Sequence, residues 1–284
     1  VDSLRIVTLN AFPAGYRLVH DFAERNGHEI ALVVTLPHTD RYGASIRPMV
    51  LDLPSESNVL ITAKLRTVAA PAIAALRPDV IISAAFPRLI PAEILELPEY
   101  GAINCHPSPL PAGRGPTPQR LIYEGDDRVG ATVHRTAAEF DTGAILAQRI
   151  APLPEDLNGT GIMQTWRTLL SECLDEAVPR LVAGDPGLPQ NPADATEAPL
   201  FTEAEHFLDL TEPAHVIRRK AAALNVTSPA ARLTLNGTTH LITRTDPAPA
   251  SPSPTPPGTV LAEHPNGWTL QTADHPLHLT RATP

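Results

Sequence analysis

Five short runs of aliphatic and β-branched residues, separated by stretches of helical periodicity, limit this chain's architecture more than any other feature. LRIVTL (4–9) is followed, after Pro13, by AGYRLVHDFAERNG, whose apolar residues recur at helical spacing and whose Gly27 supplies a stop, and then by EIALVVTL (29–36). Strand, helix, strand is the opening of a parallel sheet, because parallel neighbours need a crossover between them. NVLIT (58–62), PDVIISAA (78–85) and GAINCH (101–106) continue the series. AKLRTVAAPAIAALR (63–77) reads as helical in spite of Pro71, and PAEILELP (91–98) as a short helix with proline at its first position. The fold class expected is α/β, with a Rossmann-like, mostly parallel sheet. After the first strand, NAFPAGY offers one glycine where three are needed to seat a pyrophosphate, which disfavours NAD.

The fifth run carries chemistry. Asn104 and His106 are two apart on a strand, so an amide and an imidazole leave the same face. The strand stops at Pro107, and PSPLPAGRGPTP follows, fixed in φ at each proline and free to approach a ligand at Gly113 and Gly115. Asp141, in FDTG, lies between two β-type segments, ATVHRTA (131–137) and AILAQRIA (144–151), where an acid can reach back over the end of the sheet. Ligands of open α/β sheets bind at the carboxyl ends of strands, where His106 falls. Plainer roles exist for each: a lone histidine at a strand end is commonly a hydrogen-bonded structural residue, and Asp141 before Gly143 also fits an Asx-turn. Cys105 points to the opposite face and reads as a small buried residue.

Further on, NGTGIMQTWRTLLSECLDEAVPRLVAG (158–184) reads as a long amphipathic helix ended by Gly184, and GDPGLPQNPADATEA (184–198) as a linker by composition. A helix over EPAHVIRRKAAALN (212–225) precedes four strand-like pieces, ARLTLNG, THLITRT, GTVLAEH with GWTLQTAD, and PLHLT. Turn signals at Asn236–Gly237 and Asn266–Gly267 fit hairpins of a small β-barrel. The domains expected are residues 1–184, a linker over 185–203, and residues 204–284. PAPASPSPTPP (247–257) is read as a further linker or long loop.

A formal net charge of −9 gives no broad attraction to a phosphate backbone and weighs against RNA as substrate. Two cysteines, Cys105 and Cys173, make no disulfide framework and no metal-ligand spacing, and HPLH (His275, His278) is no zinc motif, so no metal is expected. No run reaches the ~20 apolar residues of a membrane span, and VDSLRIVTLN lacks a signal-peptide layout, so a cytoplasmic location is expected. The Asn-x-Thr triplets at Asn158, Asn225 and Asn236 are then turns or caps.

NCHPSPLPAGRGPTPQ, then GATVH, then FDTGAILAQ, in that order and spacing, resemble the folate-dependent formyltransferase family, which includes methionyl-tRNA, glycinamide ribonucleotide and sugar-nucleotide formyltransferases. The resemblance has motif strength between residues 79 and 150 and is weaker on either side. It implies that Asn104, His106 and Asp141 are the catalytic set and that 10-formyltetrahydrofolate is the formyl donor. It implies a folate pocket lined by Phe86, Arg88, Leu89 and Ile90 and by Ala138, Glu139 and Phe140, although Leu89 and Ile90 fit a plain core role equally well. On the acceptor side it points to Ser108, Arg114 and His134; Arg114 serves equally as a loop stabiliser. It also implies an OB-like C-terminal domain.

Two departures bear on the acceptor. The long basic loop of the methionyl-tRNA branch is replaced by LPHTDRYGASIRPMVLDLPSES (36–57), with two arginines and no lysine, and the usual SLLP is SPLP. The activity expected is therefore N-formylation of a small-molecule amine, such as an amino sugar, an amino acid derivative or a natural-product intermediate. Methionyl-tRNA formylation, hydrolysis as a formyltetrahydrofolate deformylase, and a non-enzymatic folate-binding module stand as alternatives. The acceptor's identity and the oligomeric state stay open at this stage.

Overall fold

The structure, a computed structural model, describes residues 2–37, 46–250 and 253–282. Residues 38–45, which include Arg41 of the lysine-free connection, and Ser251–Pro252 of the proline tract lie outside the described residues. The chain divides into two compact units, and each is built from several segments. The first takes residues 1–115, 130–150 and 167–197; the second takes residues 116–129, 151–166 and 198–284.

The first unit opens as expected with β1 (Arg5–Leu9), α1 (Pro13–Asn26) and β2 (Glu29–Thr35). Helix α1 buries Tyr16, Leu18, Val19 and Phe22 on one stripe and ends at Gly27, whose φ of 70° is the left-handed conformation that stops a helix. The polar connection after β2 contains a helix the pattern did not disclose, α2 (Ile46–Leu51), in which Met49 is fully buried. After β3 (Val59–Ile61), the helix expected over 63–77 comes in two pieces, a π-helical turn over Leu65–Ala69 and α3 (Ala70–Leu76). Pro71 explains the break. It sits in the first turn of α3, where its missing N–H costs no bond, and the wider turn before it returns the Ala70 N–H to Leu65. Strand β4 (Val80–Ala84) is buried throughout, and α4 (Ala92–Leu95) starts with Pro91 at its N-cap, one place earlier than expected.

β5 (Gly101–His106) then joins the sheet, followed by α5 (Arg120–Glu124), β6 (Arg128–Arg135), β7 (Ile145–Pro152) and α6 (Gly159–Val182). The seven strands run in the order β3-β2-β1-β4-β5-β6-β7. Pairing is parallel from β3 through β5 and turns antiparallel between β5 and β6. Strands covered on both faces read as near-continuous apolar runs, which is why VIISA and IALVV were so legible. Fully buried side chains such as Ile81, Ile82, Ile103 and Phe22 each contribute about 1.5–3 kcal/mol.

In the second unit α7 (Ala214–Leu224) is followed by β8 (Arg232–Leu235), β9 (Thr238–Pro247), β10 (Val260–His264), β11 (Gly267–Gln271) and β12 (Pro276–Arg281). They form one antiparallel sheet in the order β10-β11-β12-β9-β8, a half-barrel, in keeping with the small barrel expected. The piece read as GTVLAEH with GWTLQTAD is itself a hairpin, so four pieces are five strands. Asn236 and Gly237 take φ of 51° and 78°, as a two-residue hairpin turn requires. Ile217, Ala221 and Leu224 of α7 pack with Leu233, Ile242, Leu270, Leu277 and Leu279 in the core. Among the described residues no helix is long and apolar enough to cross a membrane.

Candidate active site

Strand β5 delivers Asn104 and His106 at its carboxyl end, and its neighbours fix what stands beside them. In the antiparallel register Asn104 faces His134 and His106 faces Thr132 across β6. On the other side Ser83 and Ala84, the last residues of β4, stand opposite Asn104 and Cys105. The segment expected to hold folate therefore begins next to the expected catalytic strand.

The proline-rich loop after β5 is fastened to the strands beneath it. Thr132 Oγ1 donates to the Ser108 carbonyl (2.7 Å) and accepts from the Leu110 N–H (3.2 Å) and the Gln148 amide (2.9 Å). Gln148 gives its other hydrogen to the Leu110 carbonyl (2.7 Å). Ser108 donates to the Ala112 carbonyl (2.7 Å), closing the turn from within. Gly130 is needed under this loop, because a Cβ there would stand 2.4 Å from Pro109 Cδ.

Asp141 completes the group from the opposite loop. Its φ of 56° is the left-handed region that few residues other than glycine enter, with Asp and Asn the usual exceptions. Gly143 behind it admits no side chain, since a Cβ would lie 1.7 Å from the Arg135 carbonyl oxygen. So placed, Asp141 Oδ1 is 3.3 Å from Asn104 Nδ2, 3.5 Å from His106 Nδ1 and 3.6 Å from His134 Nε2. Its Oδ2 accepts the Gly115 N–H at 2.9 Å.

The hydrogen bonds assign the tautomers. His106 Nε2 lies 2.8 Å from the Gly113 carbonyl and donates to it, which leaves Nδ1 as the free lone pair beside Asp141. His134 Nδ1 donates to the Arg135 carbonyl at 2.8 Å, so its Nε2 accepts from Asn104 Nδ2 at 3.2 Å. Both hydrogens of the Asn104 amide are thus engaged, through long bonds that a better acceptor can displace.

Burial pushes His106 below its ordinary value; the Asp141 carboxylate and the Gly113 carbonyl pull upward without recovering it, and His134 adds to the lowering. Burial also acts to raise Asp141, but His106, His134 and the Gly115 N–H outweigh it and hold the carboxyl down to about 2. At neutral pH the site is a neutral imidazole against a buried carboxylate, and a proton arriving at Nδ1 is stabilised at once by the anion 3.5 Å away. Cys105, on the other face, is buried and its thiol pushed far up, so no thiolate forms there.

The remaining expected site residues distribute as follows. Phe86 and Ile90 are buried in the core, Arg88 is half-buried, and Leu89 stands 48% exposed. Ala138, Glu139 and Phe140 are exposed, with Phe140 also at 48%. Two loops that lead to the site thus leave an apolar side chain in water, which suits a planar apolar ligand whose edge is read by main chain. Ser108 and His134 are 1% exposed with their polar atoms bonded internally, and Arg114 donates to Gln190 (2.7 and 3.2 Å). These three hold other parts of the site in this arrangement. Gln190 and Thr196, bonded to the loops of Asp141 and Gly113, have no signal in the sequence, because they lie in the stretch that composition marks as linker. Among the described residues no cluster of three or more His, Cys, Asp or Glu could hold a metal ion.

Comparison with known proteins returns two family matches: the description "Formyl transferase" over residues 5–178, and "Formyl transferase, C-terminal domain" over residues 201–284. A methionyl-tRNA formyltransferase from Janthinobacterium sp. (strain Marseille) is 33% identical over 259 residues, covering 86% of this chain and 81% of the relative. The same-named protein from Roseiflexus sp. (strain RS-1) is 39% identical over 168 residues, 58% of this chain and 52% of the relative. Among solved structures, HypX from Aquifex aeolicus in complex with tetrahydrofolic acid superposes with a TM-score of 0.74 at 22% identity over 98% of this chain; the match spans 44% of the HypX chain, less than half its length. An N-formyltransferase from Helicobacter canadensis, in complex with folinic acid and dTDP-3-aminofucose, gives a TM-score of 0.68 at 12% identity, covering 98% of this chain and 100% of that one.

Proposed function

Because this chain belongs to the formyl transferase family, and is with it a formyl-transferring enzyme that uses 10-formyltetrahydrofolate, we propose that its acceptor is the amine of a small molecule and that Asn104, His106 and Asp141 carry the transfer. The single observation behind the catalytic assignment is the meeting of the Asn104 amide and the His106 imidazole at one carboxylate oxygen of Asp141. Formyl-transfer chemistry is assigned to residues 1–184, with residues 204–284 as the second domain.

The folate supplies the formyl carbon as an electrophile, held between the segments around Phe86–Ile90 and Ala138–Phe140. An amine attacking that carbon sheds a proton and leaves negative charge on the formyl oxygen. His106 Nδ1 takes the proton, directly or through one water, and Asp141 stabilises the imidazolium so formed. Asn104 turns one N–H from the cluster to the developing oxyanion, a contribution of about 3 kcal/mol where one such donor has been removed elsewhere. His106 then returns its proton to the departing nitrogen, so the ring ends as it began. No covalent intermediate on the protein is required.

A small acceptor is supported by charge. The C-terminal segment 201–284 carries six Lys and Arg against seven Asp and Glu. Several of these cations are spent on carboxylates: Lys220 on Glu212, Arg232 on Glu203, Arg244 on Asp156 and Asp246. The second reading is methionyl-tRNA, favoured by the curated relatives' name. Incubation with 10-formyltetrahydrofolate and a panel of amines, alongside charged initiator tRNA, separates them by the mass of the formylated product. Formylation of the tRNA in preference to every amine would overturn the small-acceptor reading. Formate release with no acceptor present would point to hydrolysis.

A further inference from the structure

The segment from Asp185 to Glu197 is bonded to both loops of the site. Leu188 exchanges two backbone hydrogen bonds with Ile145, each 2.8 Å, and so docks beside the FDTG turn. Thr196 accepts the Gly113 N–H at its Oγ1 and the Arg114 N–H at its carbonyl, both at 2.9 Å, and so docks beside the GRG turn. Between these anchors stands Gln190, whose carboxamide makes four hydrogen bonds. Nε2 donates to the carbonyls of Asp141 (2.7 Å) and Gly143 (2.8 Å); Oε1 accepts from Arg114 Nη2 (2.7 Å) and Nε (3.2 Å). A carboxamide has two hydrogens and two lone pairs, and here all four are used across two loops.

We propose that Gln190 is a positioning residue for formyl transfer: it holds the Asp141–Gly143 turn in its left-handed conformation and ties it to the loop of Gly113 and Gly115, whose backbone groups engage His106 and Asp141. A residue other than glycine persists at positive φ only where its surroundings over-determine it. The two carbonyls that bracket the turn are fastened by one side chain from outside it. That same side chain fixes Arg114, which sits between the glycine whose carbonyl takes the His106 hydrogen and the glycine whose N–H meets Asp141. Gln190 touches no reacting atom and acts through the distance between Asp141 and His106.

The proposal rests on the formyl-transfer reading for its kinetic readout, and a second readout makes it independent of that reading. The titratable groups facing His106 are Asp141 and His134, together with the Gly113 carbonyl. If Asp141 drifts away, its upward pull on the ring weakens and the His106 titration moves lower. The variants are Gln190→Leu, which fills the same space without polar atoms, and Gln190→Ala, which leaves room for water to bond the freed carbonyls and so folds more readily. Both are expected to lower kcat about 10–100-fold, since small misplacement of a reacting group costs that much. KM for either substrate should stay within about threefold. The acid limb of the rate profile, and the His106 titration followed by NMR in the 15N-histidine-labelled protein, should both move down by about half a unit or more. Asp194→Ala, an exposed change on the same segment, should keep kcat within about twofold.

A folded Gln190 variant with unchanged kcat and unchanged His106 titration would overturn the proposal. So would a fall in kcat with an unmoved titration, which marks general damage. Failure of both variants to fold would overturn it too, by making Gln190 a residue of global stability. If the unaltered protein formylates nothing, the functional reading fails and the NMR comparison still decides the role of Gln190.

Discussion

Asp141 gathers the site because one carboxylate oxygen meets an amide and two imidazoles while the other takes a backbone N–H. The protonation states follow from burial and set a testable pH dependence. His106 must be neutral to accept a proton and its titration lies below 6.5, so activity should be flat around neutrality and fall on an acid limb below that value. Asp141→Asn keeps a residue tolerant of positive φ but removes the upward pull of the anion, so the limb should move lower still while kcat drops by about 10²-fold. A limb above 6.5, or one that moves upward in Asp141→Asn, would contradict the assignment. His106→Ala should cost about 10²–10⁴-fold in kcat and leave folate binding nearly intact, read by titrating a folate analogue. Stability has the same sign. Both groups bind protons less readily folded than unfolded, so their stabilisation is complete above the unfolded values. It is lost as pH falls, from 6.5 downward for His106 and from 3.8 to about 2 for Asp141. Urea melts at descending pH should show the decline, and Asp141→Asn should flatten its most acid part.

The elements were the most readable part of this chain, and the reason is burial. Strands β1, β2, β4 and β5 are covered on both faces, so their apolar runs survive any uncertainty about phase, and the order strand–helix–strand then dictates a parallel sheet. Asn104 and His106 were legible together because a strand's period of two is strict. Less legible were features set by contacts remote in sequence. Helix α2 hides in a polar connection and is marked by one buried methionine; the pairing of His134 opposite Asn104 comes from the β5–β6 register, which links residues thirty apart in sequence. Gln190 and Thr196 could not be found at all, because proline- and glycine-rich composition says nothing of where a segment lies. The turn between β6 and β7 has an element-scale consequence of its own. Gly143→Ala must push a methyl into the Arg135 carbonyl 1.7 Å away, and backbone there has no side-chain freedom to yield. A loss of about 1–3 kcal/mol in unfolding free energy, read as a lower urea midpoint, is expected, as for overpacking elsewhere, with activity falling further than stability alone explains. An unchanged midpoint would show that the turn relaxes freely.

At the scale of the molecule, charge separates the two candidate acceptors. With a net charge of −9 and three of its six C-terminal cations, Lys220, Arg232 and Arg244, held in ion pairs, the protein should turn over a small amine with kcat/KM changing less than about twofold between ~50 and ~200 mM salt. A partner gripped through six to ten phosphates would lose roughly 10³–10⁵ in affinity over the same interval, so a steep salt slope would restore tRNA as the acceptor. The way the chain is shared between its units has a different consequence, one for synthesis. Residues 116–129 and 151–166 belong to the second unit although they are made before the first is finished, and Tyr123 among them packs on a cluster built mainly from residues beyond 200. A growing polypeptide that has just released its seventh strand therefore carries apolar side chains whose neighbours have not yet left the ribosome, and a message truncated near residue 200 leaves them permanently bare.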